Sequence, residues 1–168
     1  MARAFRLSIV ISVGAIWLGS IFAGAASAQG LVTQKALSLE MAKTIAEAAL
    51  GECRAKGFHT SAVVIDRAGQ VLVMLRDEMA TATTAEMARR KAFTAQTFRS
   101  TSLDFQKRTM DPAYAAQRNV TDILALGGGV PIVAGGEIIG AVGSSGSSQM
   151  QDDACAKAGV AKVAELLK

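Results

Sequence analysis

Lys91 is the residue of this chain whose neighbours suit its chemistry least. At helical spacing it shares a face with Met87, Ala88, Ala92, Thr94, Ala95 and Phe98, while Arg89 and Arg90 fall on the outward side. An ammonium among core positions must meet a carboxylate, reach the edge or lose its proton. One reading makes it the holder of a ligand carboxylate or a low-pKa amine. The other is an internal salt bridge, with Asp66 at a strand end as the expected partner. A second feature is the run Gly127-Gly128-Gly129 before Pro131, followed by Gly140, Gly143, Ser144, Ser145, Gly146, Ser147 and Ser148. It leads from a strand to a helix N-terminus, where backbone N–H groups can receive an anion. The same run also reads as a well-capped connection. Neither a P-loop nor a GxGxxG fingerprint is present. His59 is the only histidine: a donor for haem or a metal, or a surface residue at the lead-in to a strand. Absence of CxxCH excludes covalent haem. Without a GxSxG elbow, a serine triad built on His59 is discounted.

Compartment follows from the start of the chain. Arg3 and Arg6 precede an apolar run over residues 7–25, and Ala26-Ser27-Ala28 offers the small-x-small pattern of signal peptidase. Residues 1–28 therefore read as a signal peptide cut before Gln29, with an uncleaved anchor as the poorer alternative. The arginines are not adjacent and no Cys follows the cut, so neither twin-arginine export nor lipid anchoring is supported. The expectation is a periplasmic or secreted protein with no membrane attachment after cleavage. In that setting Cys53 and Cys155, the only cysteines, are expected to form a disulfide. The alternative is two buried thiols on separate helices. They are a weak metal signal, since zinc spacings are missing.

The leader takes two basic residues and no acids, leaving a mature chain close to neutral and of single-domain size. With no basic stripe and no interleaved aromatics, nucleic acid is not an expected partner. Trp17 leaves with the leader and Tyr114 is the only tyrosine, so the core must be aliphatic.

Around the chemistry-bearing residues the elements read as follows. Ser38 caps a helix to about Lys56, with Leu39, Ala42, Ile45, Ala46, Ala49, Leu50 and Cys53 on one face. Residues 60–66 and 71–76 form a hairpin around Arg67-Ala68-Gly69-Gln70. Thr83 and Glu86 form a capping box for a helix to about Arg99. A helical stretch from Ser102 to Leu126, broken at Asp111-Pro112, comes next. Residues 131–134 and 137–144 form a second hairpin, and a helix from about Asp152 to Leu167 closes the chain. Paired strands with helices packed on them predict an α+β domain over residues 29–168. A disulfide requires the first and last helices to be neighbours on one face of the sheet.

In order, these pieces resemble the GlcG/HbpS-like family, also labelled haem-binding or haem-degrading. The matching residues are Ala62-Val63-Val64-Ile65-Asp66 with Gly69, Arg76, Ala88, Lys91-Ala92, Thr94-Ala95, Phe98 and Thr101. Gly127-Gly128 with Pro131, Ile139-Gly140, Gly143, Ser145-Gly146 and Asp152 complete the set. The resemblance spans almost all of the mature chain. It implies a profilin-like antiparallel sheet with helices packed on it, and a homo-oligomer. It further implies that Asp66, Arg76, Lys91 and residues 143–152, with Ser145 and Gly146, line a common pocket for an anionic ligand. The leading expectation is non-covalent haem binding, with propionates at Arg76 or Lys91. Axial candidates are His59, Thr101 and Met110, with Met79 and Tyr114 behind them. The alternatives are a lyase or tautomerase using Lys91 and Asp66 on a small carboxylate, or a non-catalytic accessory module of an oxidation pathway.

Overall fold

The Ser38 hydroxyl accepts from Met41 N and opens α1, Leu39–Ala55, in the computed structural model, which describes Gly30 and residues 32–168. The expected signal peptide lies outside the described residues. Ala42, Ile45, Ala46, Ala49, Leu50 and Cys53 give α1 a buried stripe, although Leu39 in its first turn is exposed. Gly57, at φ +79°, turns the chain out of the helix.

The first hairpin is β1, Ser61–Asp66, with β2, Val71–Arg76. Its turn is built by the Asp66 carboxylate, whose Oδ1 accepts from Ala68 N at 2.8 Å and Gln70 N at 2.9 Å. The second hairpin is β3, Gly129–Ala134, with β4, Glu137–Ser145. Strand order is β2-β1-β4-β3, and every pairing is antiparallel. The β-branched residues of β1 alternate between two cores. Val64 joins Ile45, Ala49, Ile132 and Val142 under α1 and α4, the latter spanning Gln149–Ala161. Val63 and Ile65 join Ala88, Ala92 and Ala141 under α2, Thr84–Phe98. Each fully buried aliphatic side chain contributes about 1.5–3 kcal/mol, but the core is not wholly aliphatic as expected: Phe105 is fully buried and stacks on Phe98 with ring centroids 4.2 Å apart. Residues 34–168 form one α+β domain.

Two glycines set how close α2 lies. Gly129 and Gly143 are register partners on adjacent strands. A methyl on Gly143 would collide with the Ala88 carbonyl, and one on Gly129 with the Lys91 carbonyl. The helix backbone thus rests directly on the strand backbone.

Three expected boundaries differ. Thr83 makes no side-chain cap. Instead, Thr84 Oγ1 donates to Thr81 O and accepts from Ser61 Oγ, both at 2.8 Å, so a tertiary contact replaces the local box. The stretch after Ser102 is helical only as α3, Ser102–Arg108, and as a 3-10 turn over Ala115–Asn119. Pro112 disfavours helical geometry at Asp111, and side chains of α2 then take over the backbone groups further on. Arg90 Nη2 donates to Ile123 O and Leu124 N donates to Thr94 Oγ1, each at 2.8 Å. Finally, α4 begins at Gln149, capped by Ser148. A separate 3-10 turn, Ala164–Leu167, follows it.

Candidate functional site

The sheet has two ends, and they divide the residues expected in one pocket. Ser61 pairs with Arg76 on one side and Ser145 on the other, whereas Asp66 pairs with Gly140. Five residues of strand separate these ends by roughly 16 Å. Arg76, Lys91, Ser145 and Gly146 therefore lie toward one end and Asp66 at the other. Asp66 lines a cavity of about 270 Å³ with Lys35, Leu37, Arg67 and Leu72, its carboxylate engaged by its own turn.

Lys91 is 2% exposed, the largest side chain of the core, and it is already paired. Its Nζ donates to Asp152 Oδ2 at 2.7 Å and to Ser144 O at 3.1 Å. Burial holds its pKa below the usual lysine value, and the charge and hydrogen bond of Asp152 offset only part of that. The internal salt bridge thus exists, but its partner is Asp152. Asp66 cannot serve, because it sits at the far end of β1 and caps its own turn. Asp152 also answers the question of the glycine-serine run. Its Oδ1 accepts from Ser147 N at 3.0 Å and from Ser147 Oγ at 2.7 Å. The anion at the start of α4 is the protein's own carboxylate. Ser145 is buried, and Gly146, at φ +141°, passes tightly over the His59 carbonyl.

Arg76 is exposed and gives one guanidinium N–H to Ala80 O. Of the axial candidates, Thr101 is committed to capping α3, with Oγ1 accepting from Asp104 N at 3.1 Å and donating to Asp104 Oδ2 at 2.7 Å. Met110, past the end of α3, is 71% exposed. Tyr114 is exposed nearby, and the Arg108 guanidinium lies 6.0 Å from its ring.

His59 stands apart from these. Its Nδ1 lies 2.9 Å from Oδ1 of Asp77, a carboxylate only 3% exposed. Asp77 also accepts from Arg54 Nε at 2.5 Å and Met79 N at 2.9 Å. The Arg54 bond above all, then those from Met79 N and His59, holds its pKa down to about 2. At neutral pH it is a carboxylate that only accepts, so Nδ1 carries a proton, and in the neutral form of the ring the lone pair lies on Nε2. Half of the His59 side chain is open to solvent. Among the described residues, Nε2 has no hydrogen-bond partner. Exposed Phe58 and Met79 adjoin this pair, one beside His59 in the chain and one on the Asp77 turn. Arg54 and Asp77 had no signal in residue type or spacing. Extending the first hairpin's register past its strands would have shown Asp77 opposite Thr60, next to His59. Asp77 N indeed donates to Thr60 O at 3.0 Å.

Comparison with known proteins agrees with this architecture. A family model described as "Haem degrading protein HbpS-like" matches residues 37–161. The chain belongs to the HbpS-like family. An uncharacterised 15.0 kDa protein of the dhaT–dhaS intergenic region of Citrobacter freundii is 33% identical over 121 residues, covering 69% of this chain and 84% of that one. The crystal structure of an HbpS double mutant from Streptomyces reticuli is 33% identical and superposes with a TM-score of 0.77 over 82% of this chain and 94% of that one. A PduOC–haem complex has a TM-score of 0.69 at 23% identity, over 76% and 95% of the two chains, and carries the fold alone. Among the described residues no three His, Cys, Asp or Glu side chains converge on a bare metal ion. One imidazole with a buried carboxylate behind it is, by contrast, a donor that suits haem iron.

Proposed function

We propose that this protein is exported and binds haem non-covalently, with His59 Nε2 as the iron ligand and Arg76 meeting a propionate. The observation that carries this reading is the Asp77–His59 hydrogen bond, which presents a lone pair outward from a fixed ring. Family membership and the haem complex of a protein sharing the fold support it. Lys91 is left out of the ligand's contacts, because its ammonium is sealed against Asp152. The lyase or tautomerase reading loses its acid–base pair, since Lys91 and Asp66 do not share a site. When bound, haem supplies the iron chemistry. The chain's own residues orient the ligand nitrogen and offer a cation to a carboxylate.

Haemin titration followed in the Soret band tests the assignment. Wild type should bind, and His59→Ala should shift the band and weaken affinity at least tenfold, the usual scale for a lost ligand or its support. Met110→Ala and Thr101→Val should leave both unchanged. An unaltered spectrum in His59→Ala, with loss in either of the others, moves the iron to the α3 end. Export is tested separately, by fractionation and by finding Gln29 at the mature N-terminus.

A further inference from the structure

Behind the iron ligand lies a carboxylate shared between two donors, and that sharing has an electronic consequence. Asp77 Oδ1 accepts from His59 Nδ1 at 2.9 Å, while Oδ2 accepts from Arg54 Nε at 2.5 Å. Arg54 in turn gives Nη2 to Glu78 Oε2 at 2.8 Å. A hydrogen bond from Nδ1–H to an ionised carboxylate moves electron density toward Nε2 and makes it a stronger donor. Ferric iron in a porphyrin carries one more positive charge than ferrous iron, so it gains more from that donor. The guanidinium on the other oxygen draws density the opposite way and tempers the effect. Asp77 is buried and held from three directions, by α1, by the approach to β1 and by its own turn. Its orientation toward the ring is therefore built into the fold.

Resting on the assignment of His59 above, we propose that Asp77 is a positioning residue that makes this site select ferric over ferrous haem, with Arg54 setting the strength of that preference. Asp77 touches neither haem nor iron; it acts through the imidazole. The two residues should then have opposite effects when removed, which a role in stability alone does not produce.

The experiment is a spectroelectrochemical titration of the haem-loaded mature protein in four forms: wild type, Asp77→Asn, Arg54→Met and His59→Ala. Asp77→Asn should cut the ferric preference about tenfold, raising the one-electron midpoint by about 59 mV. Arg54→Met frees the carboxylate for His59 and should move the midpoint downward. Because Arg54 is half-exposed, this variant keeps the test valid even where Asp77→Asn folds poorly. Midpoints that stay in place, or that move in the same direction in both variants, overturn the proposal. A His59→Ala spectrum identical to wild type overturns the ligand assignment itself. An altered His59→Ala spectrum with unmoved Asp77→Asn and Arg54→Met midpoints overturns only the oxidation-state preference.

Discussion

At the scale of single residues, Lys91 and Asp77 show two uses of charge inside a small domain. The Lys91–Asp152 pair is almost fully buried. Removing one partner leaves the other's charge without compensation, at a cost of about 3–5 kcal/mol. Lys91→Met is therefore expected to lower the melting temperature sharply while leaving haemin affinity unchanged. Lys91→Met with Asp152→Asn should recover part of the loss, since Asn still accepts from Ser147 N. Thermal melts and titrations of the same samples check both statements. Asp77 acts at the acid end. Its folded pKa of about 2 lies below the ordinary carboxylate value of about 3.9, so its contribution is complete above about pH 4 and is lost as pH falls through about 2. The gap in melting temperature between wild type and Asp77→Asn should accordingly be full at pH 5 and close toward pH 2. Lys91 was legible because its helical phase puts it among alanines. Its partner was not, because Asp152 lies on another helix, and no local pattern tells which distant carboxylate reaches a buried ammonium.

The glycines of β3 and β4 belong to the scale of elements. In sequence they look like a cradle for an anion; in the fold Gly129 and Gly143 are the bearing surface for α2. Gly143→Ala would force Ala88 and the whole of α2 off the strand, or bend β4 away from β1. The expected loss is about 1–3 kcal/mol or more, read as a lower denaturation midpoint in urea. An equally stable variant would show that α2 has slack the packing does not reveal. Element order, both hairpins and the Ser38 cap could be read directly, because each is fixed by residues within a few positions. The capping box at Thr83 failed for the opposite reason: Ser61, a strand away, supplies the bond that Thr84 makes. The path between α3 and β3 was equally hidden, since Arg89, Arg90 and Arg118 hold it with side chains rather than with a repeating backbone pattern.

For the whole molecule the decisive link is the Cys53–Cys155 disulfide between α1 and α4, whose Cα atoms lie 5.6 Å apart. Its pairing was readable from the cysteine count and the expected export of the chain. The two helices meet over one face of the sheet, where Ile45, Ala49 and Ala156 share a core with Val64. Closing a loop of about 100 residues restricts the unfolded chain enough to be worth roughly 4–5 kcal/mol in the chain-entropy model. Replacing both cysteines with serine should lower the melting temperature by well over 10 °C for a domain of this size. The His59–Asp77 bond need not move, so haemin binding at low temperature should survive. The resemblance also implies a homo-oligomer, and we propose assembly through this domain. Light scattering on the mature protein at micromolar concentration should give a multiple of the monomer mass; a clean monomer would refute it.

The same bond changes how the molecule meets force. Tension applied at the two ends enters at α1 and leaves at α4, and it crosses from one to the other through sulfur, bypassing the sheet. The stretch between the cysteines, 102 positions along the chain, is then hidden from the load. Pulled in an optical trap, the oxidised protein should yield only its short terminal arms. Added reductant should release roughly 350 Å of further extension. An unfoldase that grips one end and feeds chain through a narrow pore faces the same obstacle, a closed ring it must either pass as a double strand or stall against.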